Sequence, residues 1–161
     1  MSKSGEVNSI VILPLEVRHV RKLAKLFNAA LEADFSYIDN MHKDQIRKQN
    51  SIPRLVIAAL RSKRHVYLAW DNNTVIGYVI AGSVGDGSGN IDWLYVRPGT
   101  RGNNLGLRLL SRAMQQMYAQ GATSITLVTY AYTTYYARQG FKTLRTVDSD
   151  GTTQDLMRFQ F

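Results

Sequence analysis

The chain has 161 residues, of which 45% are hydrophobic and 20% charged, with a formal net charge of +8 and no cysteine. That length and balance suit one soluble domain able to bury a core. The missing cysteines exclude disulfides, thiolate metal sites and a cysteine nucleophile. The positive charge points to an anionic partner, yet the basic residues are scattered rather than gathered in one tract, which argues against a nucleic-acid-binding module. No apolar run reaches the length of a membrane span, so no membrane partner is expected. The opening MSKSGEVNS has no apolar stretch of the secretory kind, and the expected location is cytoplasmic.

Residues 1–8 read as a flexible tail ahead of a single domain over 9–161. Ser9–Leu15 is rich in strand formers and predicts a first strand. Val20, Leu23, Ala24, Leu26, Phe27, Ala30 and Leu31 recur at helical spacing and predict an amphipathic helix from Leu15 to Ala33. Asp34–Met41 reads as a loop, followed by helical stretches over Lys43–Lys48 and Pro53–Ser62. His65–Trp70 and Val75–Ala81 then form a hairpin around the turn at Asp71–Thr74. Gly82–Asn90 reads as a loop and Ile91–Val96 as a strand, with Ile91, Trp93 and Tyr95 on one face and Asp92, Leu94 and Val96 on the other. Asn104–Gln120 is the clearest helix and stops at Gly121. Ser124–Tyr130 is a buried strand, Thr133–Gln139 a short helix ended by Gly140, and Phe141–Val147 and Gln154–Phe159 close the chain as strands. The order implies a mixed α/β sheet with one right-handed parallel crossover between Ile91 and Tyr130.

The turn Val96–Leu107, VRPGTRGNNLGL, joins a strand to a helix. Its small residues allow an anion to reach the free N–H groups of the helix's first turn, and Arg101 can add a charged hydrogen bond. The residues alone also fit an ordinary β-α turn with glycines for tight geometry. The turn is not a Walker A loop, since no Gly-Lys-Ser/Thr follows, and it is not G-x-G-x-x-G.

Val96-Arg97-Pro98 followed by Arg101-Gly102-Asn103-Asn104-Leu105-Gly106 resembles the signature V-x-P-x-x-[RQ]-G-x-G-x-[GA] of the GNAT superfamily of acyl-CoA-dependent N-acyltransferases. Tyr136-Ala137-Arg138-Gln139-Gly140-Phe141 is similar to that family's Y-x-x-x-G-F segment. The resemblance spans nearly the whole chain. It implies an α/β (α+β) fold, with a mixed, mostly antiparallel sheet of about seven strands, a central β-α-β crossover and about four helices. One departure is Asn104, where the family often has glycine; asparagine tolerates unusual backbone angles better than most residues.

From the resemblance follow the expected roles. Acetyl-CoA is the co-substrate and no metal is expected. Backbone groups of Leu94, Tyr95 and Val96 would line the pantetheine arm, where the strand parts from its neighbour. Gly102, Asn103, Asn104, Leu105, Gly106 and Leu107 would cradle the pyrophosphate, with Arg101 beside them. Thr129 stands where many relatives have an asparagine seven residues before the tyrosine, and its hydroxyl can bond the pantetheine. Register with the family, not composition, selects Tyr136 from Tyr130, Tyr132, Tyr135 and Tyr136 as the acid that protonates the leaving thiolate. Asp92 stands where many members place a glutamate that works through water as base; a strand-edge acid is otherwise simply solvated. His19, His42 and His65 show no metal-ligand spacing.

The resemblance implies an amine acceptor, small or protein-borne. Glu32, Asp34 and Asp39 beside Phe35 and Tyr37 either hold it by charge and aromatic contact or form a solvated loop with two core aromatics. Exposed C-terminal strands in this fold can pair two subunits into a homodimer. The expected activity is N-acetyl transfer, with a non-catalytic CoA-binding sensor on the same fold as the alternative and a basic nucleic-acid-binding module as the more distant one.

Overall fold

The computed structural model describes residues 9–61, 64–149 and 152–161. The tail over 1–8 and the expected helix end at Ser62 lie outside the described residues. β1 (Val11–Pro14) leads through a 3-10 turn at Val17–His19 into α1 (Val20–Ala33), whose seven apolar positions at helical spacing are all buried. α2 (Asn40–Gln49) starts earlier than its apolar spacing suggests, because Asp39 caps it by accepting the His42 N–H at 3.0 Å. α3 (Ile52–Leu60) carries Pro53 in its first turn, where no N–H is needed.

Six further strands follow: β2 (His65–Asp71), β3 (Thr74–Ala81), β4 (Ser88–Val96), β5 (Ser124–Thr129), β6 (Lys142–Ser149) and β7 (Thr152–Gln160). They build one seven-stranded sheet in the order β1-β2-β3-β4-β5-β7-β6. Every neighbouring pair is antiparallel except β4 and β5, which α4 (Leu105–Ala119) joins as the expected parallel crossover. α5 (Thr133–Arg138) links β5 to β6. The segment Gly82–Asn90 is not all loop. Asp86 and Gly87 both take positive φ, and Gly85 and Ser88 exchange two 2.9 Å backbone bonds around them. That is the geometry an Asp-Gly pair favours in a two-residue hairpin turn, so β4 begins at Ser88.

The sheet is covered on both sides, and the two cores draw on alternate residues. Val66, Leu68, Tyr78 and Ile80 pack with α1 and α3, whereas Ala69 and Val79 pack with Leu109, Leu110, Ala113 and Met117 of α4. Two-sided burial explains why β2 and β3 read as nearly continuous apolar runs.

β4 departs from regular alternation. Ile80 pairs with Trp93 but Ala81 with Ile91, so Asp92 is an extra residue, a β-bulge. Ile91 packs on the α4 side with Leu94 and Val96, while Trp93 and Tyr95 pack on the α1 side. The expectation that Ile91 shares a face with Trp93 and Tyr95 is therefore corrected: period-two alternation holds only while pairing is uninterrupted.

Candidate active site

β4 and β5 pair only from Ser88–Ser124 to Ile91–Leu127. Beyond Ile91 both strands continue without pairing to each other, and the sheet opens into a wedge. The other edge of β4 stays bonded to β3. The Arg97 N–H donates to the Ile76 carbonyl at 2.8 Å, so by alternation the backbone of Tyr95 also faces β3. Leu94 and Val96 then turn their N–H and C=O groups into the wedge. Of the expected pantetheine-lining trio, Tyr95 contributes its side chain rather than its backbone.

At the wide end of the wedge stands the turn into α4. Gly102 has φ +107, and nothing lies within 4 Å of where its Cβ would be. Asn104 adopts the left-handed conformation, φ 53 and ψ 22, as the helix N-cap, which accounts for the tolerance of asparagine where glycine is common. Its side chain makes no capping bond, and the first backbone bond of the helix is Arg108 N–H to the Asn104 carbonyl at 2.9 Å. The N–H groups of Leu105, Gly106 and Leu107 thus have no side-chain cap, and the positive end of the helix dipole faces open space.

Wedge and turn share a cavity of about 420 Å3. Its walls include Leu94, Tyr95, Val96, Arg101, Gly102, Asn104, Leu105, Gly106, Leu107 and Tyr136. Asn103 and Thr129 are outside this lining. Thr129 is buried, and its hydroxyl accepts the Tyr132 N–H at 3.1 Å, holding the entry to α5. Arg101 donates from Nε to the Val96 carbonyl at 2.9 Å and carries its guanidinium 6.0 Å from the Tyr95 ring centre. A cradle with room at Gly102, an uncapped helix start and the Arg101 cation beside it fits a pyrophosphate.

Tyr136 rises from α5 with its ring edge-on to Phe141, centroids 5.8 Å apart. Burial, then the neighbouring Tyr135 and Tyr132 hydroxyls, push its pKa far above the ordinary phenol value, so it is a protonated donor at any physiological pH.

Asp92 does not line the main cavity. It borders a smaller recess of about 210 Å3 with Asn90, Thr126, Val128 and Leu156, at the apex where β4 and β5 begin to part. Its carboxylate pairs with the Arg64 guanidinium at 3.0 Å and accepts from the Asn90 amide. Loss of solvent raises its pKa, against the opposing pull of Arg64 and Asn90. Tyr136 and Asp92 therefore line two different spaces rather than one.

The three acidic candidates after α1 separate. Asp34 lines the main cavity with Phe35 and Tyr37, and its Oδ2 accepts the Tyr95 hydroxyl at 2.6 Å. Glu32 instead pins α2 to α1 through Arg47 and the buried Lys43, and Asp39 is spent capping α2. Phe35 and Tyr37 are not plugged wholly into the core: Tyr37 is exposed and stands 5.2 Å from the Tyr130 ring. Arg64 and Tyr135 also stand at these spaces, and the sequence does not mark them, because an arginine before a strand and one tyrosine among four carry no pattern of their own.

A family model described as Acetyltransferase (GNAT) family matches residues 24–141. The chain belongs to the GNAT acetyltransferase family. Its fold is shared with GNAT structures at low identity. The PaiA N-acetyltransferase of Thermoplasma acidophilum, solved in complex with coenzyme A, is 20% identical with a TM-score of 0.77, the match covering 95% of this chain and 99% of that one. An acetyltransferase of Streptococcus agalactiae 2603 is 21% identical with a TM-score of 0.75, covering 94% and 98%. A chain of the NatC complex bound to Gag peptide and CoA is 20% identical with a TM-score of 0.69, covering 95% and 99%. No curated protein sequence matches this GNAT chain.

Proposed function

We propose that this protein moves the acetyl group of acetyl-CoA to a primary amine, the amine attacking the thioester directly in a ternary complex. The observation that carries the reading is the meeting of an open wedge between β4 and β5 with an uncapped helix start at its wide end. Leu94 and Val96 offer backbone groups to the amides of a pantetheine arm as a further strand would. Arg101 would exchange the Val96 carbonyl for a pyrophosphate oxygen.

An alkylammonium with a pKa near ~10.4 is protonated about a thousandfold over its free base at neutral pH, so the attacking amine must lose a proton. Asp92, acting through water, is the base available at the apex of the wedge, and its raised pKa makes it a better one. The amine nitrogen then bonds to the thioester carbon, whose oxygen takes a hydrogen bond from a backbone N–H of Leu94 or Val96. As the C–S bond breaks, Tyr136 gives its proton to the sulfur. Asp34, Phe35 and Tyr37 supply charge and aromatic surface for the cationic acceptor before it reacts.

The test is release of free thiol from acetyl-CoA in the presence of a panel of small amines, peptides and aminoglycosides. Turnover with any of them supports the reading. A thermal shift with CoA but no turnover would favour a non-catalytic CoA sensor, the alternative that the Arg64–Asp92 pair supports by engaging the base. Gly102→Glu places a carboxylate in the cradle and is expected to weaken CoA binding at least tenfold, about 1.4 kcal/mol. Normal CoA affinity in that variant would remove the pyrophosphate assignment.

A further inference from the structure

Tyr135 lies one residue before the expected acid and lines the same cavity. Its hydroxyl is shut off from solvent and has no hydrogen-bond partner. A buried donor left without an acceptor is costly, and native structures rarely keep one without a reason. The hydroxyl sits against the first turn of α4: a Cβ at Gly106 would come within 3.0 Å of it and within 3.9 Å of Val96 Cγ2. The absence of a side chain at Gly106 therefore makes room for the tip of Tyr135 as well as for a ligand. Three elements meet at this point: the end of β4, the start of α4 and the short helix α5. Burial also holds the phenol protonated, so it keeps a proton to donate.

We infer that Tyr135 is a cofactor-positioning donor whose acceptor arrives with the acyl-CoA, an oxygen of the phosphopantetheine at the junction of β4 and α4. The inference rests on the CoA reading of this cavity. In the free protein the hydroxyl is parked against Gly106 with its hydrogen bond unmade. A phosphopantetheine lying along Leu94 and Val96 passes between this helix turn and α5, parts them slightly and gives the phenol an oxygen to bond. The arrangement favours the bound state because the orphaned donor penalises the free one.

The test is calorimetric titration of the wild type and Tyr135→Phe with CoA, 4′-phosphopantetheine and adenosine 3′,5′-bisphosphate, with melting of both free proteins. The ring is kept and only the oxygen is lost. A donor without a partner adds nothing to the free fold, so the free variant should melt at the wild-type temperature or above it. Its Kd for CoA and for 4′-phosphopantetheine should rise about five- to twentyfold, while that for adenosine 3′,5′-bisphosphate should not change. An unchanged Kd for CoA overturns the inference, as does a free variant that melts lower, which would mark Tyr135 as a packing residue. A loss confined to the adenosine compound also overturns it. Wild-type protein that binds none of the three would count against the CoA reading itself, a result separable from any effect of the variant.

Discussion

Tyr95 donates to Asp34 across 2.6 Å, tying the strand that forms one wall of the wedge to the end of the first long helix. The bond fixes one carboxylate oxygen of Asp34, a residue that lines the cavity. It also raises the Tyr95 pKa to about 12, after burial as the larger cause. If Asp34 holds the cationic acceptor, Asp34→Asn should raise the KM for the amine about tenfold and leave the Kd for CoA alone. Tyr95→Phe should lower stability by about 1 kcal/mol, read as a urea midpoint. Steady-state kinetics with the best acceptor check the first, and an unchanged amine KM would remove Asp34 from the acceptor site.

If Tyr136 is the acid, Tyr136→Phe should cut kcat about a hundredfold with little change in the KM for acetyl-CoA, because a proton donor to sulfur matters only as the C–S bond breaks. Its pKa is pushed up far enough that no alkaline loss of activity below about pH 10 should come from this tyrosine. An unchanged kcat would take it out of the acid role.

Arg64 and Asp92 give a pH prediction with a definite sign. Arg64 lowers a carboxyl pKa that burial raises. If Asp92 is the base it works deprotonated, so kcat/KM should climb with pH as it ionises. Arg64→Gln removes the lowering influence, and the acid limb should move to higher pH. A limb that stays in place in Arg64→Gln, or that persists in Asp92→Asn, assigns the base to another group.

Asp155 joins α5 to the last two strands, accepting the hydroxyls of Thr133 and Thr146. Those bonds hold its pKa below the ordinary carboxyl value. A carboxyl depressed in the folded state contributes stability above its unfolded pKa, about 3.9, and loses it as pH falls through the folded value. Asp155→Asn should therefore melt lower than the wild type at pH 6, with the gap closing in acid. A gap independent of pH would show that the two hydroxyl bonds are not charge-assisted.

Much of this was legible in the sequence, for reasons that differ by element. α1 and α4 were plain because one face of each is buried and the apolar spacing records it. The turn into α4 was legible through glycines and an asparagine that its backbone angles require. The facing of Ile91 relative to Trp93 and Tyr95 is not legible, because a bulge at Asp92 inserts a residue that no alternation pattern can reveal. The early start of β4 rests on Asp86-Gly87, a two-residue turn hidden among glycine-rich neighbours that read as loop. The separation of Asp34 from Glu32 and Asp39 depended on partners distant in sequence, Tyr95 for one and Arg47 for another. Neighbours in the chain could not supply that.

Where β4 and β5 part, the fold keeps two strand edges in its interior instead of at its rim. Bare edges are where stray strands add on and aggregation begins, and proteins ordinarily blunt them with charge, bulges or cover. On the proposed reading, the cover here would be the acyl-CoA. A cell short of CoA would then hold this protein in its stickiest form. During heating or storage, saturating CoA should suppress aggregation more than its effect on the melting temperature accounts for.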